Sequence, residues 1–205
     1  LSHTGSVFSA CLAESGHTVI GYDSDKKLIN NLNKGKAPIY EPGLKNLIKK
    51  NIYKKKLIYT NKLNNINSSD FVWFTYDPIV NDRDVSNISF PINSIKTTLR
   101  KLKNSMNIIV SSQLPVGSIK KLEEYSQIKL KKSFNFFCCP ENLRLGNSIK
   151  SFLKPARIVI GYRNLEDKVK IKSLLYKINK KIIWMSIESA EVTKHAINSF
   201  LGMSV

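Results

Sequence analysis

The chain has 205 residues, of which 42% are hydrophobic, and its 33 Lys and Arg against 15 Asp and Glu leave a formal charge of +18. A chain of this length and apolar content buries roughly 70% of the surface that its unfolded form exposes, which excludes a disordered protein and a disulfide scaffold. No apolar run approaches the ~18–20 residues that cross a bilayer. Its three cysteines, two of them adjacent, form no disulfide pattern, so we expect a reduced, cytoplasmic protein.

Strand-like and helix-like segments alternate along almost the whole chain. Short β-branched and aromatic runs predict strands, and Leu or Ile at helical spacing predicts helices. The predicted strands are 17–23, 57–60, 71–75, 107–110, 134–138, 157–161 and 182–185. The predicted helices are 5–14, 25–33, one beginning at 44, 92–102, 118–125, 165–178 and one from 189 onwards, with 76–90 as loop. This alternation is typical of a doubly wound α/β fold with a mostly parallel sheet.

The excess of positive charge raises the question of nucleic-acid binding. Arginine forms bidentate hydrogen bonds with phosphates and base edges, but nearly all the basic residues here are lysines. The lysines are spread among many Asn and Ile, and runs such as 54–56 are typical of solvated faces and turns. We therefore expect no nucleic-acid partner.

The first candidate site lies near the start of the chain. Gly5 opens a predicted helix, and Asp23 ends the following strand 18 residues further on. A glycine turn before a helix can hold a pyrophosphate, and an acid at this distance can accept the ribose hydroxyls of NAD. Only one glycine of that pattern is present. An ordinary glycine at a helix start, with Asp23 or Asp25 capping the next helix, explains these residues equally well.

Two further candidates follow later strands. Glu141 comes after the strand 134–138, where a carboxylate can act as a base or orient a water. Lys194 and Asn198 stand four residues apart on the last predicted helix, so they share a face and could stabilise an oxyanion. By themselves these residues favour a surface carboxylate at Glu141 and an exposed Lys–Asn pair at Lys194 and Asn198.

The histidines and cysteines indicate no other site. His3, His17 and His195 share no metal-ligand spacing, and we predict that each lies in a loop or on the surface. Cys138 and Cys139 are predicted to pack at a strand end. Neither a Ser-His-Asp order nor a phosphate-binding P-loop is present, and we predict no metal site.

Seven segments in a fixed order carry a more specific pattern, of which PIYEPGL and the Lys–Asn helix after SAE are the most distinctive parts. They are LSHTGSVFSACLAESGHTVIGYD (1–23), LNKGKAPIYEPGL (32–44), DFVWFTYDP (70–78), IVSSQLPVGS (109–118), CPENLRLG (139–146), KPARIVIG (154–161) and SAEVTKHAIN (189–198). Together they resemble the UDP-glucose/GDP-mannose dehydrogenase family of nucleotide-sugar dehydrogenases. The resemblance implies a Rossmann-like NAD-binding domain over 1–188 and the start of a long inter-domain helix over 189–205.

The resemblance also implies an activity and a cofactor. Family members oxidise the C6 alcohol of a nucleotide sugar such as UDP-glucose to an aldehyde and then, through a cysteine thioester, to a uronic acid, using two NAD. By this resemblance Gly5 is the last glycine of the dinucleotide turn and Asp23 is the ribose ligand. Ser112 and Gln113 then fall in the loop that lines the nicotinamide.

The remaining site residues are carried over in the same way. Glu141 falls on the catalytic glutamate of the family. Leu143 and Arg144 lie in the segment whose backbone holds the nucleotide sugar. Lys194 and Asn198 fall on the lysine and asparagine that support the reacting C6 oxygen.

Several positions depart from the common pattern and resemble a divergent subfamily. Ser2 stands where the middle glycine of the turn is usual, and Gln113 stands where threonine is usual. Leu145 replaces a frequent second glutamate, and Ala156 replaces an aspartate.

The family's catalytic cysteine lies in a glycine-rich loop beyond the helix that starts near residue 189, and none of the three cysteines here matches it. Family chains are roughly twice as long and carry a second α/β domain. We therefore expect these residues to be an internal fragment that lacks the first strand and the second domain, and to be inactive alone. The resemblance further implies that the full-length protein forms a homodimer.

Two other interpretations compete with this one. A β-hydroxyacid dehydrogenase of the 6-phosphogluconate type also pairs a Rossmann domain with a Lys–Asn helix, but it lacks PIYEPGL and the PEN-L-R segment. A basic nucleic-acid-binding module would need aromatic stacking partners among its lysines. The aromatic residues here lie largely in apolar strands instead.

Overall fold

A computed structural model describes residues 1–76, 79–80, 86–141 and 143–204. Part of the predicted loop 76–90, including Asp77 and Pro78 of the TYDP segment, lies outside this range, as does Asn142 of the PEN segment. The helices are α1 (His3–Glu14), α2 (Lys26–Asn33), α3 (Leu44–Tyr53), α4 (Ser89–Lys101), α5 (Ser118–Leu130), α6 (Ser148–Leu153), α7 (Leu165–Leu175) and α8 (Ile187–Met203), with a 3₁₀ helix at Leu63–Ser68. The strands are β1 (Val19–Tyr22), β2 (Leu57–Thr60), β3 (Phe71–Phe74), β4 (Ile79–Val80), β5 (Ser86–Asn87), β6 (Asn107–Val110), β7 (Asn135–Cys138), β8 (Ile158–Tyr162) and β9 (Ile182–Ser186).

The predicted α/β alternation is confirmed, and every predicted strand is present. The predicted loop 76–90 was partly wrong, because it contains the short antiparallel pair β4–β5 and the first two residues of α4. Helix α5 runs five residues further than predicted, to Leu130. Helix α6 was missed, because six residues are too few to establish a helical repeat in the sequence.

The described residues divide into two compact units. The first comprises Leu1–Ser68, Leu143–Ala156 and Ile171–Lys181, and the second comprises Ser69–Asn142, Arg157–Lys170 and Ile182–Val205. Helix α7 therefore begins in the second unit and ends in the first. None of the helices in the described ranges has an apolar stretch long enough to cross a membrane.

Helix α1 is the core of the first unit. All its residues from Thr4 to Ala13 are buried, and most are small enough for neighbouring elements to approach closely. It packs on the parallel pair β1–β2 and on helices α3 and α6. The rings of Phe8 and Phe152 meet at a centroid distance of 4.7 Å, which anchors α6 on α1.

The second unit is built on a five-stranded sheet in the order β3-β6-β7-β8-β9. Neighbouring strands are parallel except β7 and β8, which are antiparallel. The central strands are buried on both faces, as fully enclosed Ile108, Ile109 and Phe137 illustrate. The unbroken apolar run 71–75 predicts a strand buried on both faces, and this is wrong for the edge strand β3: Val72 and Phe74 are buried while Phe71 and Trp73 are partly exposed.

Strand β8 and the start of α8 approach each other unusually closely at Gly161. A Cβ atom at this position would lie 2.7 Å from the Cα of Ile187 and 2.7 Å from the Cβ of Ala190. Both distances are below van der Waals contact, so α8 can begin here only because Gly161 has no side chain.

We expect Gly161→Ala to lower the free energy of unfolding by about 1–3 kcal/mol, because the added methyl group overpacks this contact. Urea denaturation followed by circular dichroism measures the effect. Gly202→Ala is the matched control, because a methyl group added to that exposed helical glycine would meet no neighbouring atom within 4 Å. The control should leave stability unchanged or raise it slightly, and equal stability of the two variants would contradict the close approach.

Candidate functional site

The carboxyl ends of β3, β6 and β7 are joined by one chain of hydrogen bonds. The Trp73 indole N–H donates to the Ser111 hydroxyl at 2.8 Å, and that hydroxyl in turn donates to the Cys139 carbonyl. Ser111 directly follows β6 and Cys139 directly follows β7. Parallel sheets bind ligands at this edge, so the chain of bonds fixes the residues that follow each strand.

A pocket in the second unit lies beside these strand ends. The loop after β6 contributes Ser112 and Gln113, and α8 contributes Glu191, Lys194 and His195. The Ser112 hydroxyl oxygen is buried and finds no hydrogen-bond partner in the part of the chain that the structure describes. A buried hydroxyl without a partner is costly, so this atom is suited to bind a ligand group.

Lys194 and Glu141 meet in this unit, although 53 residues separate them in the sequence. The Lys194 ammonium donates to the Glu141 backbone carbonyl at 2.7 Å and to its carboxylate at 2.9 Å. Both side chains are about four-fifths buried, with exposures of 18% and 19%. The pair places a proton acceptor beside a fixed cation at the end of β7, a combination that can take up a proton and stabilise a developing oxyanion.

Asn198 is exposed, one helical turn after Lys194 on α8. The alternative of an exposed Lys–Asn pair therefore fits Asn198 but not Lys194. The prediction that the histidines lie in loops or on the surface was wrong for two of them. His3 begins α1, and His195 on α8 is partly buried and donates from Nε2 to the Leu114 carbonyl at 3.0 Å.

Glu191 was missed in the sequence although it borders the same pocket. Its side chain is buried, and its carboxylate accepts the backbone N–H groups of Gly117 at 2.7 Å and Ile119 at 2.9 Å. Glu191 thereby caps the start of α5 and holds α8 against the loop that carries Ser112. Its place three residues before Lys194 is visible in the sequence, but nothing local identifies its partners more than 70 residues away.

The first unit holds Gly5 and Asp23, the residues predicted for the pyrophosphate and the ribose of the dinucleotide. Gly5 is buried in the first turn of α1, and Asp23 directly follows β1. The Asp23 carboxylate contacts the Leu1 amino group and accepts the Asp25 N–H at 3.0 Å. Asp25, rather than Asp23, caps α2 by accepting the N–H groups of Lys27 and Leu28 in the first turn of that helix.

Leu143 and Arg144 open the turn that leads into α6. Leu143 is partly buried and Arg144 is exposed, and both belong to the first unit. The Arg144 carbonyl accepts the Asn147 N–H at 3.0 Å and the Ser148 hydroxyl at 2.8 Å. The turn is therefore closed by its own hydrogen bonds, and Leu145 at its tip is 66% exposed.

The buried cysteines are not nucleophiles. Cys138 ends β7 and Cys139 follows it, so their predicted packing role is confirmed. Burial raises the pKa of Cys11 and of Cys139 to about 12 from a usual value of 9.0, and it raises the pKa of Cys138 as well. Because only the thiolate is reactive, all three thiols are inert at neutral pH.

Parallel strands whose carboxyl ends carry the candidate residues, and a buried helix that begins at His3, are typical of dinucleotide-binding α/β proteins. Comparison with known proteins gives the family. The model of the UDP-glucose/GDP-mannose dehydrogenase family NAD-binding domain matches residues 1–180. The chain therefore belongs to this family, and NAD is its cofactor.

Individual relatives agree with the family model. The chain is 31% identical to the UDP-glucose 6-dehydrogenase TuaD of Bacillus subtilis over 206 aligned residues, which cover 99% of this chain and 45% of that protein. The fold matches GDP-mannose dehydrogenase from Pseudomonas aeruginosa with a TM-score of 0.88 at 23% identity, over 98% of this chain and 48% of that one. It matches a UDP-glucose dehydrogenase from Pyrobaculum islandicum with a TM-score of 0.84 at 22% identity, over 98% and 48% of the two chains. The chain thus spans about half the length of the relatives it matches.

We expect the three cysteines to be unreactive in the folded protein, because burial keeps their thiols protonated. Ellman's reagent at pH 8 should label none of them before unfolding and all of them in guanidinium chloride. Rapid labelling of the native protein would contradict the burial and the raised pKa values.

Proposed function

We propose that this chain is the NAD-binding half of an enzyme that oxidises the C6 alcohol of a nucleotide sugar, such as UDP-glucose, to the uronic acid. Its domain is proposed to extend over 1–188, with 189–205 beginning the inter-domain helix. The observation that carries the proposal is the Lys194–Glu141 pair in a chain of this family. Because the chain spans about half of its relatives' length, the activity is proposed for the whole protein.

The proposed roles follow from the contacts of each residue. Lys194 is held by two oxygens of Glu141, so its charge stays at the end of β7, where it would stabilise negative charge on the sugar's C6 oxygen together with Asn198. The Glu141 carboxylate lies beside that charge and would hold the proton that leaves the alcohol. Bound NAD supplies the hydride acceptor.

The cofactor-binding residues also fit the proposal. The buried Ser112 hydroxyl, which has no hydrogen-bond partner among the described residues, and the neighbouring Gln113 would face the nicotinamide side. The N-terminus of α1 and Gly5 would receive the pyrophosphate, since helix N-termini favour anions. Asp23 would bind the ribose hydroxyls, and the backbone at Leu143 and Arg144 would bind the nucleotide sugar.

The proposed reaction is tested by NADH formation, followed at 340 nm, with the complete gene product that contains these residues. The substrates are UDP-glucose, other UDP-sugars, GDP-mannose and 6-phosphogluconate. NADH should form with at least one nucleotide sugar. Absence of NADH with every nucleotide sugar would overturn the proposal, and NADH with 6-phosphogluconate alone would favour the β-hydroxyacid dehydrogenase interpretation.

We expect Lys194→Ala to lower kcat by at least about a hundredfold while changing the NAD dissociation constant by less than about twofold, because the ammonium acts on charge that develops during the reaction. Steady-state kinetics and fluorescence titration with NADH measure the two effects. Lys129→Ala is the control, because this lysine is exposed on α5 of the same unit. Unchanged turnover of Lys194→Ala would remove Lys194 from the proposed mechanism.

We expect Asp23→Ala to raise the KM for NAD about tenfold or more, because two hydrogen bonds to a charged acceptor would be lost. Asp25→Ala is a matched control two residues away. It removes the cap of α2 at a cost of about 1 kcal/mol in stability, and it should leave the KM for NAD unchanged. If both variants have the same KM for NAD, the ribose assignment is wrong.

A further inference from the structure

Glu41, in the PIYEPGL segment, is a buried carboxylate to which the sequence assigned no role. Its side chain is 1% exposed, and in the part of the chain that the structure describes only Asp167 and Glu191 are comparably buried acids. A buried carboxylate is retained only where hydrogen bonds replace its lost hydration. The partners of Glu41 therefore show which parts of the first unit depend on it.

The Glu41 carboxylate accepts hydrogen bonds from three donors, which lie in two distant segments of the chain. One oxygen accepts the Ser148 backbone N–H at 2.8 Å. The other accepts the Gly146 backbone N–H at 2.9 Å and the His3 ring Nε2 at 3.0 Å. Burial by itself raises the pKa of Glu41, but the hydrogen bonds from Gly146, His3 and Ser148 outweigh burial and leave the pKa below its usual value. The carboxylate is therefore ionised at neutral pH and accepts all three hydrogen bonds.

Through these hydrogen bonds Glu41 connects two segments of the first unit, the turn 143–148 and the start of α1. At one end lies the turn 143–148, whose backbone N–H groups at Gly146 and Ser148 point at the carboxylate instead of at water. Gly146 adopts a left-handed φ of 85°, which only glycine accepts readily, so the turn has a defined shape. At the other end His3 begins α1, two residues before Gly5.

We propose that Glu41 is a positioning residue for the nucleotide sugar: it holds the turn 143–148 in the shape that presents the backbone of Leu143 and Arg144, and it ties that turn to the start of α1. This inference rests on the proposed function, because the turn matters to catalysis only if it binds the sugar. A backbone site needs its N–H and C=O groups fixed before the ligand arrives, since ordering a loose turn would weaken binding. Glu41 holds the turn in place although it lies outside the turn, 105 residues before Gly146 in the sequence.

Glu41→Gln is the sharpest substitution, because it keeps the size of the side chain and changes only one oxygen. Each carboxylate oxygen accepts a backbone N–H, so the amide nitrogen of Gln must face one of these donors whichever way it is turned. At least one hydrogen bond is lost, and the amide N–H group is brought against a backbone N–H group. The turn should loosen while the core around α1 stays packed.

Glu14→Gln is the matched control. Glu14 lies at the end of α1 in the same unit, where its carboxylate pairs with Lys50 and accepts the Asn51 side-chain N–H at 3.1 Å. The same chemical change there weakens the link between α1 and α3 without touching the turn 143–148. Glu14→Gln should therefore lower stability and leave substrate binding unchanged.

The experiment measures two quantities in the wild-type protein and in both variants, using the complete gene product. The first is hydrogen–deuterium exchange of the peptide that contains Gly146 and Ser148. The second is the KM for the nucleotide sugar, the KM for NAD and kcat. For Glu41→Gln we expect faster exchange in this peptide and a rise of about tenfold or more in the KM for the sugar, with a smaller change in the KM for NAD.

Each outcome decides the proposal. Faster exchange together with the selective rise in the sugar's KM supports it. Faster exchange with unchanged kinetic constants would show that Glu41 has only a structural role and would refute its role in sugar binding. Unchanged exchange would refute the proposal that Glu41 holds the turn 143–148. If the wild-type protein reduces no NAD with any nucleotide sugar, the proposed function fails, and the positioning role toward the sugar fails with it. The exchange result then still shows whether Glu41 anchors the turn.

Discussion

A carboxylate that is buried away from water needs hydrogen bonds from other donors to replace its lost hydration. In each unit of the protein, a buried carboxylate of this kind holds two distant segments together. Glu191 accepts two N–H groups at the start of α5, and Glu41 accepts two N–H groups of the turn before α6. In each case the acid lies on one element and the donors on another that is far away in the sequence. Removing either acid would leave buried N–H groups without partners, which costs more than the hydrogen bonds themselves contribute. The acids thus hold the segments that carry the candidate binding residues.

The few acidic residues of this strongly basic chain form contacts that fix the elements around the candidate site. The 15 acidic residues are few beside 33 basic ones, and several of them have fixed partners inside the fold. Glu123 and Glu188 both pair with Arg163 and join α5 to the start of α8, and Glu141 fixes Lys194. Most lysines remain at the surface, where a net positive field would attract anionic ligands such as NAD and a nucleotide sugar.

Much of the fold could be predicted from the sequence, because strands and helices follow from local patterns. The strand 107–110 and the strand 57–60 coincide with β6 and β2, since runs of β-branched and aromatic residues between turn residues have few alternatives. Helix α6 could not be predicted, because it is short and is held by Phe152 against Phe8 and by the Glu41 contacts. The partial exposure of β3 also depends on which strands flank it, which no local pattern records.

The sequence by itself determined the α/β class, the family and its cofactor, because these depend on motifs whose residues are close together in the chain. It also identified Lys194 and Glu141 as candidates, but it favoured a surface interpretation for each of them. Only the tertiary structure decided that these two side chains form a pair, that Asp25 rather than Asp23 caps α2, and that Glu41 and Glu191 are buried. The physical reason is that each of these facts depends on a hydrogen-bond partner or a neighbour in space. For Lys194, Glu41 and Glu191, those partners lie more than 30 residues away in the sequence.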